Sequence, residues 1–260
     1  MPIEGLVSPT DEGVPQGGPL SPVLSNVYLD KLDKELEVRG LNFVRYADDC
    51  NIFVRSEMAA DRVMASVSSW LGRKLRLKVN ATKTKVVRPT GSNFLGFTFW
   101  KSSEGWKPRP LAERKARLCR KVKEILCRKR AAALPLGYTF TRLNQVLRGW
   151  INYFRIGSMK GWVKNEFGPW MRHKVRVVIL KQWKKPKMIY KNLMKLNKAF
   201  GCNMTHEDIF KVANSRLGLY RRSGLDVVNY LLSQKALAIP NKKENRPGLV
   251  DPLSYYLRNT

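Results

Sequence analysis

Histidine is almost missing from this sequence: there are two, His173 and His206, in 260 residues. Cysteine is scarce as well. The four present (Cys50, Cys119, Cys127 and Cys202) are too few and too scattered to staple a fold with disulfides. Together these shortages exclude a zinc site of ordinary spacing. The nearest pair, Cys202 and His206, lacks two further ligands and reads as a packed cysteine beside a surface histidine. No apolar run approaches 18 residues, and no basic stretch with an apolar core opens the chain, so neither a membrane span nor a secretory leader is expected. The chain reads as soluble and belonging to a reducing compartment.

Acidic residues are also in short supply, 20 against 49 Lys and Arg, for a net charge of +29. Such a chain repels itself and seeks polyanions, so nucleic acid is the expected partner and a membrane surface the weaker one. A hydrophobic content of 43% excludes a disordered basic tail. The charge is unevenly placed: net +2 over residues 1–100, +23 over 101–200 and +4 over 201–260. A boundary near 100–110 follows.

Glycine and proline crowd the first 18 residues, which read as loop. Ser21 and Pro22 then open a helix predicted over 21–38, with Leu20, Val23, Leu24, Val27, Tyr28 and Leu32 at helical spacing. Residues 41–55 switch period: Phe43–Tyr46 and Asn51–Val54 are β-prone runs flanking Ala47-Asp48-Asp49-Cys50, a hairpin with two carboxylates at its tip. A second helix is expected over 57–73, and strands at Leu75–Val79, Lys85–Arg88 and Phe94–Phe99. Beyond Pro110 the pattern is helical, over about 111–132, 141–156 and 163–183, with shorter helices at 188–199, 206–213 and 225–233.

Two adjacent carboxylates raise each other's pKa unless a cation sits with them, and a divalent ion such as Mg²⁺ would serve. For Tyr46-Ala47-Asp48-Asp49 alone, a solvated Asp-Asp turn reads equally well. The loop Gly13-Val14-Pro15-Gln16-Gly17-Gly18 lets backbone approach a ligand and offers the Gln16 amide; alone it is an ordinary loop feeding a helix. In this order, Pro-Gln-Gly, helix and strand-turn-strand with Tyr-Ala-Asp-Asp resemble the palm of reverse transcriptases. Leu77–Asn80 with Lys83-Thr84-Lys85, and Phe94-Leu95-Gly96-Phe97, resemble that family's following motifs. Leu147–Phe154, Trp183–Lys187 and Asn214–Arg221 resemble the maturase, or thumb, region of group II intron proteins of the bacterial class C type.

The resemblance implies an α+β chain: a partial palm with an incomplete sheet (1–108), an α-helical thumb/maturase domain (109–187) and a mainly helical nucleic-acid-binding module (188–260). It implies RNA-directed DNA polymerisation with two Mg²⁺ ions, Asp48 as metal ligand and Asp49 supporting it. Pro15, Gln16, Gly17, Tyr46, Ala47, Lys83 and Lys85 would line the nucleotide and template pocket; for the two lysines a solvated basic turn reads as well. Phe94, Leu95 and Gly96 would grip the primer. The implied partners are group II intron RNA, a DNA primer or target and dNTPs, in a bacterial cytoplasm.

The family's third carboxylate lies on a strand several dozen residues before Pro-Gln-Gly, and Asp11, in a Pro/Gly loop directly before it, cannot fill that role. The expectation is therefore a truncated reverse transcriptase without fingers, its two-metal site incomplete, with a second polypeptide or a dimer partner as one way to complete the palm. A non-catalytic RNA-binding maturase module is the alternative. Candidate RNA contacts are Arg114, Lys115, Arg120, Lys121, Arg128, Arg148, Arg172, Lys184 and Lys185. For the set, net +23 in a hundred residues favours polyanion binding over a solvated face. Trp150, Phe154, Trp170 and Trp183, at helical spacing, read as core.

Overall fold

The computed structural model describes residues 20–242 and 245–260. Its chain divides into two compact units, residues 1–88 and 89–260. This division lies ahead of the step in charge near residue 100, because the second hairpin packs with the helices that follow it.

The first unit is built on α1 (Ser21–Val38), a hairpin of β1 (Asn42–Tyr46) and β2 (Asp49–Phe53), and α2 (Glu57–Lys74). The N-cap of α1 falls on Leu20 rather than Ser21, so Pro22 still lies in the first turn, where its missing N–H costs nothing. Ser56 caps α2, its hydroxyl accepting from the Ala59 amide. Strand period two sorts the hairpin into faces. Phe43 pairs with Ile52 and Arg45 with Cys50 on the inner face; Asn42 pairs with Phe53, Val44 with Asn51 and Tyr46 with Asp49 on the outer. The inner face closes a small core of Leu32, Leu36, Val67 and Leu75, helped by Phe43, Ile52, Trp70 and Leu71. The Tyr28 hydroxyl donates to the Leu75 carbonyl at 2.6 Å, and Arg39 donates to Ser66, tying α1 to the other end of the unit.

Helix α1 is apolar on two sides. Leu29, Leu32 and Leu36 face the core. Leu20, Val23, Leu24 and Val27, half a turn away, are all more than half exposed. The outer hairpin face is open too, with Val44 and Tyr46 exposed.

The expected strands at 75–79 and 85–88 do not form; both stretches are irregular. A strand exists only by pairing, and the two-stranded sheet of β1 and β2 does not extend to either run. The expected strand at 94–99 begins later, as β3 (Phe97–Ser102), and pairs with β4 (Gly105–Pro110), whose two prolines hid it in the sequence.

In the second unit that hairpin precedes a helical array: α3 (Ala112–Ile125), α4 (Arg128–Ala133), α5 (Leu136–Phe154), α6 (Lys160–Trp162), a π-turn at Val163–Phe167, α7 (Gly168–Trp183), α8 (Pro186–Ala199), α9 (His206–Ala213), α10 (Leu219–Arg222), α11 (Asp226–Leu231), α12 (Gln234–Ala238) and α13 (Pro252–Arg258). The helix predicted over 111–132 is broken at Leu126–Cys127. A continuous core runs from Leu118 and Val122 through Phe140, Leu143 and Leu147 to Met171, Val175, Ile189, Leu193 and Leu231. The tryptophans expected in the core lie against it, partly buried.

The C-terminal segment is strapped to this core by Asn144. Its buried amide donates to the Gly248 carbonyl and accepts from the Val250 amide, both at 2.8 Å. Gly248 is required there: a Cβ would fall 1.9 Å from the Ala238 carbonyl oxygen. Arg176, 8% exposed, donates to the Leu232 carbonyl and to Asn229 at the C-terminal end of α11, where the helix dipole favours a cation. Burial pulls its pKa down to about 10, and nearby Arg172 adds to the effect.

Candidate active site and nucleic-acid interface

The carboxylate pair sits where the sequence pattern places it. Tyr46 and Asp49 close the β1–β2 ladder, and Ala47-Asp48 form the turn between them. Asp48 and Asp49 are both exposed, and Asp49 shares the outer face with Tyr46. Ala47 has φ of +53°, a left-handed conformation that a residue with a Cβ enters only at a cost.

Against this turn lies a side chain that sequence reading passed over. Arg45, on the inner face, donates from Nε and Nη2 to the two carboxylate oxygens of Asp33, at 2.7 and 2.5 Å. Its Nη1 donates to Asn26 Oδ1 at 2.9 Å and to the Ala47 carbonyl at 2.8 Å. Asn26 and Asp33 are seven residues apart, two turns of α1, hence on one stripe of that helix. That spacing was the available signal. Hydrogen bonding to Asp33 raises the pKa of Arg45 further above its ordinary value. Beside it, burial pushes the Cys50 thiol up to about 11, with the Asp33 charge adding to the effect and Arg45 opposing it.

Lys83 and Lys85 are exposed in the segment after α2. Asn80 organises it: its side-chain oxygen accepts from the Thr82 and Lys83 amides, an Asx-type turn. Among the described residues no ion pair joins either lysine to Asp48 or Asp49. Pro15, Gln16, Gly17 and Asp11 lie outside the described residues.

Phe94, Leu95 and Gly96 belong to the second unit. Phe94 and Phe97 exchange both backbone hydrogen bonds, leaving Leu95 and Gly96 as a two-residue turn with φ of +53° and +83°. Gly96 is favoured there by its φ of +83°, and a Cβ would meet only the flexible Arg114 side chain, at 3.0 Å. The turn is fastened to helices on both sides: the Tyr153 hydroxyl donates to the Leu95 carbonyl, and the Leu111 amide to the Gly96 carbonyl, each at 3.0 Å.

Of the candidate phosphate contacts, Arg114, Arg120, Lys121, Arg128, Arg148, Lys184 and Lys185 are exposed. Two are not free in the same way. Lys115 is half-buried with its ammonium 5.1 Å from the Trp162 ring centre, its pKa lowered chiefly by burial. Arg172 is paired with Asp251, which is itself 7% exposed, so it fastens the C-terminal segment.

Two family models match the chain, and they match it in order. Residues 4–99 fit the model of reverse transcriptase (RNA-dependent DNA polymerase), and residues 115–197 fit that of the group II intron maturase-specific domain. The chain belongs to the group II intron reverse transcriptase/maturase family. It is also similar to the protein YkfC of Escherichia coli (strain K12), at 29% identity over 35% of this chain and 33% of that one. The chain thus spans about a third of the length of that relative.

Reverse transcriptases of this family generally use Mg²⁺. Carboxylate oxygen is the donor Mg²⁺ prefers, and Asp48 and Asp49 offer it. Yet no three His, Cys, Asp or Glu side chains gather into a metal-binding group among the described residues. Among the described residues the pair by itself falls short of a two-metal centre. Cys202 and His206 gather no further ligands among the described residues either: Cys202 packs on the core, and His206 Nδ1 lies 2.9 Å from the Tyr190 hydroxyl. No helix among the described residues is long and apolar enough to cross a membrane.

Proposed function

We propose that this chain is a group II intron-encoded maturase of reverse-transcriptase lineage that grips intron RNA with its basic helices. The observation that carries this reading is the order of parts: a helix and a carboxylate-tipped hairpin, then a helical unit studded with exposed Arg and Lys. The exposed cations of α3, α5 and the α7–α8 junction supply sequence-independent phosphate contacts. Tyr153, Tyr138 and Trp106, each about half exposed, offer faces for unpaired bases or ribose.

On this reading the partners are intron RNA, a DNA primer or target and dNTPs, and Asp48 and Asp49 are the polymerase carboxylates with Mg²⁺ as their ion. The division into palm (1–108), thumb (109–187) and C-terminal module (188–260) belongs to the same proposal, as does completion of the palm by a second polypeptide. Among the described residues no third carboxylate joins Asp48 and Asp49 in a metal-binding group, which favours RNA binding without polymerisation by this chain alone.

A primer-extension assay on an RNA template tests this. The expected result is retention of the template with no extension of the primer. Extension by the purified chain, abolished by Asp48→Ala, would overturn the non-catalytic reading and establish the polymerase.

A further inference from the structure

The densest polar cluster of the first unit lies directly behind the carboxylate turn, and nothing in the family match explains it. Arg45 commits four N–H donors: two to Asp33, one contact to Asn26 and one to the Ala47 carbonyl. Its side chain is 11% exposed, and that of Asp33 26%. A guanidinium so engaged, its charge matched by Asp33, has little left for an incoming phosphate. Its spare reach ends on the backbone of Ala47, the residue immediately before Asp48 and the one with φ of +53°.

We propose that Arg45 is a positioning residue: anchored on α1 through Asp33 and Asn26, it holds the Ala47 carbonyl and so fixes the left-handed turn that presents Asp48 and Asp49. The physical logic has three parts. A planar fork bonded to both oxygens of one carboxylate cannot rotate, so its remaining donors point in set directions. α1 supplies the anchor from two successive turns of one stripe. A two-residue hairpin turn demands positive φ at its first residue, which an alanine disfavours, and the carbonyl contact offsets that cost. The meaning of this anchoring for catalysis or template contact rests on the reading of Asp48 and Asp49 given above; the anchoring itself does not.

The two roles Arg45 has, neutralising Asp33 and holding the turn, separate experimentally. Arg45→Lys retains a cation beside Asp33, yet one ammonium cannot hold a carboxylate, an amide and a carbonyl together. Hydrogen exchange of the peptide spanning residues 44–53, measured by mass spectrometry on the full chain, reads the turn; circular dichroism melting reads the fold. The expected result is a melting profile close to that of the parent, with exchange at the turn faster by about tenfold or more, the factor sustained by one charge-assisted hydrogen bond. Asn26→Ala should move exchange in the same direction by less.

A second comparison isolates the Ala47 contact. Ala47→Gly removes the penalty of positive φ, so Arg45→Lys should accelerate exchange less in the Ala47→Gly background than in the parent. A purely structural ion pair would show no such coupling. Equal acceleration in both backgrounds, or exchange at 44–53 unchanged by Arg45→Lys, would overturn the proposal. None of these readouts requires RNA binding or extension, so failure of the functional reading and failure of this one are told apart.

Discussion

Cys50 and Cys127 carry the same thiol into opposite surroundings. Cys50 lies on the inner hairpin face, where burial raises its pKa to about 11. Cys127 precedes α4, and the amides of Arg130 and Lys129 stabilise its thiolate, with the Arg130 charge a smaller contribution, so its pKa is lowered. Because the thiolate is the nucleophile, iodoacetamide at mildly alkaline pH should label Cys127 first and Cys50 last, as peptide mapping over time would show. Faster labelling of Cys50 would mean that its hairpin is open. The same shift links to stability. Between the thiol's ordinary value of 9.0 and about 11 the unfolded chain has lost a proton that the folded chain keeps. Stability of the first unit therefore falls as pH rises through that window. At this scale the sequence showed what is local. Asp48 and Asp49 sit together in it and on the turn. Arg45 was passed over because its partners lie 12 and 19 residues away, on another element.

Helices were the elements most readily anticipated, since an apolar stripe at period 3.6 is needed wherever a helix lies on a core. The spans of α1, α2, α8 and α9 match their patterns closely, and Thr205 caps α9, its hydroxyl accepting from the Asp208 amide. Strands fared worse for a physical reason. Among the described residues the β-prone runs at 75–79 and 85–88 find no strand to pair with, while β4 forms through two prolines because β3 lies beside it. The break between α3 and α4 had no glycine or proline to announce it. These observations bear on the stability of each unit. Among the described residues, the first has four buried apolar side chains in its core and an irregular segment with exposed Arg76, Lys78, Lys83, Lys85 and Arg88. The second has a deep, continuous core. Limited trypsin digestion should cut first within 75–88 and leave a resistant fragment beginning near residue 89, visible by mass spectrometry. Equal persistence of both units would contradict this account.

Charge divides the molecule more sharply than composition suggests, with +23 of the +29 within residues 101–200. Cations on exposed helix faces bind phosphate by releasing counterions, and that gain is lost as salt is added. If six or more phosphates are engaged, RNA affinity measured by fluorescence anisotropy should fall about a thousandfold or more between 50 and 200 mM salt. A flat profile would rule out a phosphate-dominated interface. A further consequence belongs to the strap at the C-terminus. Asn144 on α5 finds both its partners more than a hundred residues later, at Gly248 and Val250, and the Tyr256 hydroxyl reaches back to the Gly157 carbonyl. In folding, the middle of the helical unit must therefore wait, with a buried amide unmatched, for residues 248–250 to dock. Until then the basic helices stand over an unfinished core, so the slow, long-range docking of residues 248–256 is the step that completes the helical unit.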